Sequence, residues 1–114
     1  MAFKRAIGSS YLIQQSPGAE MVGGLEVKVQ HGNGQVIIEK TLWHTRKEGD
    51  IPQVYINEAV KGVGKYAADN DINLSAFDIT LRYFVYHPVD SRPKLYFLAG
   101  QNALQSAMNA WFRR

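Results

Sequence analysis

A chain of 114 residues, 46% hydrophobic and 20% charged, has room for one modest hydrophobic core and no compositional bias towards disorder. Its net charge of +3 permits contact with nucleic acid without demanding it. The absence of cysteine excludes a disulfide framework, a thiolate metal site and a cysteine nucleophile. The first residues, Met1-Ala2-Phe3-Lys4-Arg5-Ala6-Ile7-Gly8, lack the long apolar run of a signal peptide, and no stretch approaches a membrane span. A cytoplasmic protein of a single domain, residues 1–114, without membrane association is expected.

In chain order, residues 11–15 read as a first strand, followed by a loop at Ser16-Pro17-Gly18-Ala19-Glu20. Leu25, Val27 and Val29 then alternate with Glu26, Lys28 and Gln30, the pattern of a strand with one buried and one wet face. Gly32-Asn33-Gly34 supplies hairpin chemistry, and Val36-Ile37-Ile38 begins a partner strand. An antiparallel meander is therefore expected in the first half.

Pro52 suits the first turn of a helix, where its missing N–H has no intrahelical partner to lose, and Asp50 can cap it. Ile56, Ala59, Val60, Val63, Tyr66 and Ala67 recur at helical spacing and form its apolar stripe, and the helix is expected to end near Asp69-Asn70-Asp71-Ile72-Asn73. Gly62 and Gly64 each cost about 1 kcal/mol of helix propensity relative to Ala, so a close approach of helix to sheet is expected there. Ile79-Thr80-Leu81-Arg82-Tyr83-Phe84-Val85 reads as a strand that delivers His87 into a turn; Pro88 stops it, and Asp90 or Ser91 can cap the helix that follows. That helix is expected from about Pro93 to Phe112, with Phe97, Leu104, Ala107, Met108 and Trp111 on its buried face. Ala99, Gly100 and Ala103 would let it lie close to the sheet or to the first helix. The order is β-β-β-α-β-α, an α+β two-layer sandwich.

Several chemical motifs fail on inspection. Asp69-x-Asp71-x-Asn73 begins like a calcium loop, but Leu74 takes the glycine position and Thr80 the twelfth, where a bidentate Glu is needed. Gly64-Lys65 resembles the end of a phosphate loop, yet Ala59 occupies its first glycine position and the segment is helical. His31, His44 and His87 fall on a turn, a strand end and a loop, and nothing in their spacing makes a metal site. Ser91 lies near His87 and Asp90 in sequence, but no nucleophile elbow surrounds it. No catalytic residue, metal or cofactor is expected, and the chain is read as not an enzyme.

Ile51-Pro52-x-x-Tyr55-Ile56 before a helix, Asp78-Ile79-x-Leu81 on a strand, and Tyr86-His87-x-Val89-Asp90-Ser91 before an alanine-rich helix form an ordered set. In that order they resemble domain IV of elongation factor G, the translational GTPase, here as a stand-alone domain. Gly23-Gly24-Leu25-Glu26-Val27-Lys28-Val29 extends the resemblance upstream, so that it covers roughly residues 11–111. The resemblance implies a left-handed strand-helix-strand unit made of the third strand, the first helix and the fourth strand, an exception to the usual right-handed crossover. It also implies that the loop bearing Tyr86 and His87 and the turn after the first strand form the far tip, which in the family reaches the decoding region of the small ribosomal subunit.

The RNA-binding residues so implied are His87, Tyr86 and Ser91, an imidazole and hydroxyls suited to unpaired bases and ribose 2′-OH groups. Trp43 and Tyr83, if outward on the sheet beside Lys28 and Arg82, would add a base-stacking surface. The other tip loop, Gln15-Ser16-Pro17-Gly18-Ala19-Glu20, departs from the family's Gly-Gly-Arg-Gly-Gln-Tyr-Gly-like segment; Arg is lost and Glu20 gained, which removes a phosphate partner. Pro88 also replaces a residue that is usually acidic. The expected function is a nonenzymatic module that binds the ribosome or structured RNA, without the GTPase that drives translocation. The alternative is a protein-interaction or homodimeric assembly module acting through a sheet edge or the last helix, with Trp43, Met21 and Phe112 as anchors.

Overall fold

The computed structural model describes residues 4–16 and 19–113, with the side chains of Ser16 and Ala19 outside the description. Strand β1 (Arg5–Ser16) pairs antiparallel with β2 (Ala19–His31) over its whole length, from Arg5 opposite Gln30 to Ser16 opposite Ala19. Both strands outrun the sequence expectation. Small residues at Gly8, Ser9 and Ser10 hide the start of β1, and Glu20, Met21 and Val22 belong to β2 rather than to a loop, Val22 being fully packed. Pro17 and Gly18 lie outside the described residues.

The expected meander is corrected at β3 (Val36–Ile38). It does not pair with β2; β4 (Phe77–Val85) runs between them, antiparallel to β2 and parallel to β3, giving the order β1-β2-β4-β3. The reason lies in the turn. The Gly32 and Gly34 N–H groups bond to the carbonyls of Ala76 and Phe77, and the Asp78 carboxylate accepts from the N–H groups of Asn33 at 2.9 Å and Gln35 at 3.1 Å. A Cβ on Gly32 would fall 2.1 Å from the Asp78 carboxyl carbon, so a larger residue there would push the carboxylate away from its two backbone donors. The acidic residue that opens the Asp78-Ile79-x-Leu81 motif thus carries the chain across β4 instead of back along β2. Asp78→Ala, which removes both charge-assisted bonds, should lower the unfolding free energy by about 1.5 kcal/mol, read from the urea midpoint at unchanged m-value.

Helix α1 (Gln53–Asp69) connects β3 to β4, which makes the parallel strand-helix-strand unit; helix α2 (Pro93–Phe112) ends the fold. Pro52 occupies the N-cap of α1, and no side chain caps it, so the expected Asp50 cap is not formed. Asn70 closes its C-terminus, its side-chain amide donating to the Tyr66 carbonyl. Lys65 and Asp69 pair at 2.6 Å, and Asn73 accepts from the Ser75 N–H at the start of the 3-10 turn Leu74–Ala76. The calcium-like residues are thereby used as turn chemistry, and no metal-holding cluster occurs among the described residues.

Both helices lie on one face of the sheet, α2 over β1 and β2 and α1 against α2. Leu25, Val27, Val29, Ile79 and Leu81 from the sheet meet Ile56, Ala59 and Val63 of α1 and Tyr96, Ala103, Leu104 and Ala107 of α2 in one core. This is the α+β two-layer arrangement that the element order predicts. The close approach at Gly62 is to α2 and not, as expected, to the sheet; Gly64 faces open space, with nothing within 4 Å of the position a Cβ would take. No described helix is long and apolar enough to cross a membrane.

Candidate nucleic-acid interface

The residues after β4 are built around one buried tyrosine. Tyr96, on the first turn of α2, is fully buried and donates its phenolic proton to the Val85 carbonyl. Its single proton being used, the 2.9 Å contact with Ser91 must run from the serine hydroxyl to the phenol oxygen, and Ser91 Oγ in turn accepts the His87 N–H at 2.9 Å. The His87 carbonyl accepts from both Asp90 and Ser91 N–H groups, which closes the turn. Arg92 donates from Nη1 to the Val89 and Ser91 carbonyls at 2.8 and 2.9 Å. The turn is then tied to β2: Val22 N–H bonds to the Asp90 carbonyl at 2.9 Å.

This connection places the loop beside the start of β2, since Val22 stands only a few residues into that strand. A third segment joins them. Residues 41–49 form a small hairpin in which Thr41 bridges Glu48 and Leu42 lies parallel to Phe84, and its turn carries His44 with its ring 6.2 Å from that of His87. Arg46 adopts φ +60° in this turn, and its guanidinium sits over Tyr83 at 4.1 Å and Trp43 at 5.6 Å.

The sequence-predicted residues separate into three groups. His87 and Tyr86 are at this end and half-buried, Tyr86 packed on Tyr55 with ring centroids 5.6 Å apart. Ser91 is a correction: 2% exposed and engaged with Tyr96 and His87, it cannot reach a ligand and serves to hold the loop. It does not cap α2 either, nor does Asp90; Arg92 is the N-cap and no side chain bonds to the freed N–H groups.

Lys28 and Arg82 lie on the open face of the sheet. Arg82 is already committed, its Nε 2.7 Å from Glu26 Oε2 and its guanidinium over the Tyr83 ring at 4.8 Å. The expected stacking surface is likewise occupied, because Tyr83 is held between Arg46 and Arg82 and Trp43 meets Tyr11 edge-to-face at 5.8 Å. Gln15 and Glu20 face each other across the end of the β1–β2 hairpin and are exposed; Ser16 pairs with Ala19 there through the backbone, and Pro17 and Gly18 fall outside the described residues.

Sequence reasoning missed His44, Arg46 and Arg92. Arg92 could have been suspected from its position directly before a helix-opening proline, but nothing in the spacing of His44 and His87 announces that they meet.

No protein-family model matches the chain, and no curated protein does. A crystal structure of a protein from Thermus thermophilus is similar, with a TM-score of 0.70 and 19% identity over 94% of this chain. The matched region is 16% of that protein's length. At this identity the likeness establishes the fold alone: the chain has the α+β architecture of one segment of a much longer protein.

Proposed function

We propose that this domain is a nonenzymatic binding module that docks its loop end on the ribosome or another structured RNA, in the manner of the translocase tip domain it resembles but without a GTPase. The observation that carries the reading is the fixed presentation of His87. Its backbone is anchored through Ser91 and Tyr96 to the core, while its ring stands beside His44 at the end of the sheet. Imidazole rings stack on unpaired bases and bond to ribose hydroxyls, and a rigid backbone reduces the entropy lost on binding. Arg46 and Arg92 supply positive charge around the pair, and the exposed Val89 offers an apolar contact. Glu20, at the start of β2, opposes phosphate and restricts contact to the His87 side.

Co-sedimentation with ribosomes across a salt series tests this. The wild-type chain should pellet at low salt and be released as salt rises, because counterions displaced from phosphates return. His87→Ala should weaken binding by about tenfold, the loss of one stacked ring. Absence of pelleting at low salt would sink the reading, and pelleting unaffected by the substitution would clear His87 of a role.

A further inference from the structure

We infer that the free edge of β1 is a self-association surface, on which a second copy of this chain pairs antiparallel to extend the sheet across a two-fold axis. The inference is independent of the RNA reading and concerns another side of the molecule.

Strand β1 is an edge strand with nothing paired on its outer side among the described residues. Long edges of this kind are normally protected by charge, proline or a bulge. Here the sequence carries no charged residue between Arg5 and Glu20, and β1 pairs with β2 without any break in register. Its outward row instead presents Ile7, Tyr11 and Ile13, exposed by 41%, 37% and 51%. The element beside it shares the feature: α2 holds no charged residue between Lys94, in its first turn, and Arg113, which follows it. A groove of about 320 Å³ runs between the edge and α2, lined by Ile7, by the uncharged Asn102, Gln105, Ser106 and Asn109, and by Arg113, which follows α2. Depletion of charge over two adjoining elements marks the centre of a covered surface.

The strand is also complementary to itself, which favours a second copy over an unrelated peptide. The Ser10 carbonyl is turned towards β2, 2.6 Å from where a Cβ on Gly24 would sit, so the odd-numbered residues turn their backbone groups to the free edge. Centring a two-fold on Ser10 then sets Ile7 opposite Ile13 of the other copy, Ser9 opposite Tyr11 and Arg5 opposite Gln15. Every one of these pairs is odd with odd, as hydrogen-bonded antiparallel pairs require. Gln15 is in turn paired with Glu20, so Arg5, Gln15 of the other copy and that copy's Glu20 fall along one row of the sheet face.

The helices fit as well. Because α2 lies over β1 and β2 alike, and strands are about 4.8 Å apart, α2 and its symmetry mate come within about 10 Å, an ordinary helix-packing distance. The polar stripe of Asn102, Gln105, Ser106 and Asn109 then meets its own copy, where carboxamides can bond to one another.

The test uses the intact chain, whose lack of cysteine makes a single introduced thiol diagnostic. Wild type should show the mass of two chains by sedimentation equilibrium. Ser10→Cys should form a disulfide dimer under mild oxidation, since a non-hydrogen-bonded antiparallel pair brings Cα atoms to about 4.5 Å, within disulfide reach. Asn57→Cys, exposed on α1, should not. Ile7→Lys/Ile13→Lys should raise the dimer dissociation constant at least tenfold, while Ile7→Lys/Ile13→Glu, which sets opposite charges across the axis, should restore association. A monomeric wild type at high protein concentration would overturn the inference, as would a dimer that Ser10→Cys fails to cross-link.

Discussion

Gly62→Ala should destabilise the domain by about 2 to 3 kcal/mol, whereas Gly64→Ala, two residues further along the same helix, should stabilise it by up to about 1 kcal/mol. Helix propensity favours alanine equally at both sites. The difference arises from what the added methyl meets: at Gly62 it would fall 2.1 Å from the Phe97 carbonyl oxygen, and at Gly64 it meets nothing within 4 Å. The obstacle at Gly62 is backbone of α2, which cannot rotate away as a side chain can. The two helices would have to separate, and every contact between Ala59, Val63 and the facing residues of α2 would loosen with them.

Gly100 makes the reciprocal contact, its Cβ position 2.3 Å from the Ala59 carbonyl oxygen, so Gly100→Ala should resemble Gly62→Ala. Urea unfolding of the three variants decides the matter. Equal effects at Gly62 and Gly64 would mean that propensity, and not the helix crossing, sets their cost.

Tyr96→Phe should cost about 2 kcal/mol at neutral pH, because it strands the Ser91 hydroxyl proton and the Val85 carbonyl in the core. The same substitution should flatten the alkaline limb of the stability curve. Burial raises the Tyr96 ionisation well above its ordinary value of 10.0; the Ser91 bond opposes the rise, and the neighbouring Tyr55 and Tyr86 add to it.

Above pH 10 an unfolded chain releases this proton while the native chain keeps it. Native stability from this group is therefore complete below pH 10 and is lost above it, at about 1.4 kcal/mol per pH unit. The difference between wild type and Tyr96→Phe should shrink as pH rises from 10, measured by urea unfolding in alkaline buffers. A difference that stays constant would show that the phenol titrates alike in both states. Because Ser91 anchors the His87 N–H, Tyr96→Phe also loosens the loop that the proposed RNA contact needs.

The helices were the most legible part of the sequence. Pro93 opens α2 and the apolar stripe runs to Trp111, one residue before the helix ends, so a proline and periodicity mark its two ends. Pro52 and Asn70 bracket α1 in the same way. Strand pairing was less legible, since Gly32-Asn33-Gly34 announces a turn but not its destination; the deciding partner, Asp78, is far away in sequence. Gly62 was readable as a close approach, yet a glycine does not say which backbone approaches it.

The loop end shows a similar division. The Tyr86-His87-x-Val89-Asp90-Ser91 order pointed to a held turn, but a serine before a helix looks alike in sequence whether it caps that helix or turns inward. Here Tyr96 draws it inward. His44 was invisible as a neighbour of His87 because their proximity depends on the parallel bridge of Leu42 to Phe84, a tertiary fact without a local signal.

The three histidines provide the most direct test of the RNA reading. His44 and His87 stand together at the loop end, whereas His31 closes the opposite end of β2, its ring 4.7 Å from that of Trp111. Imidazole proton signals followed by NMR during titration with small-subunit ribosomal RNA fragments should shift for His44 and His87 and stay fixed for His31. Shifts confined to His31, or no shift at any of the three at low salt, would contradict binding through this end.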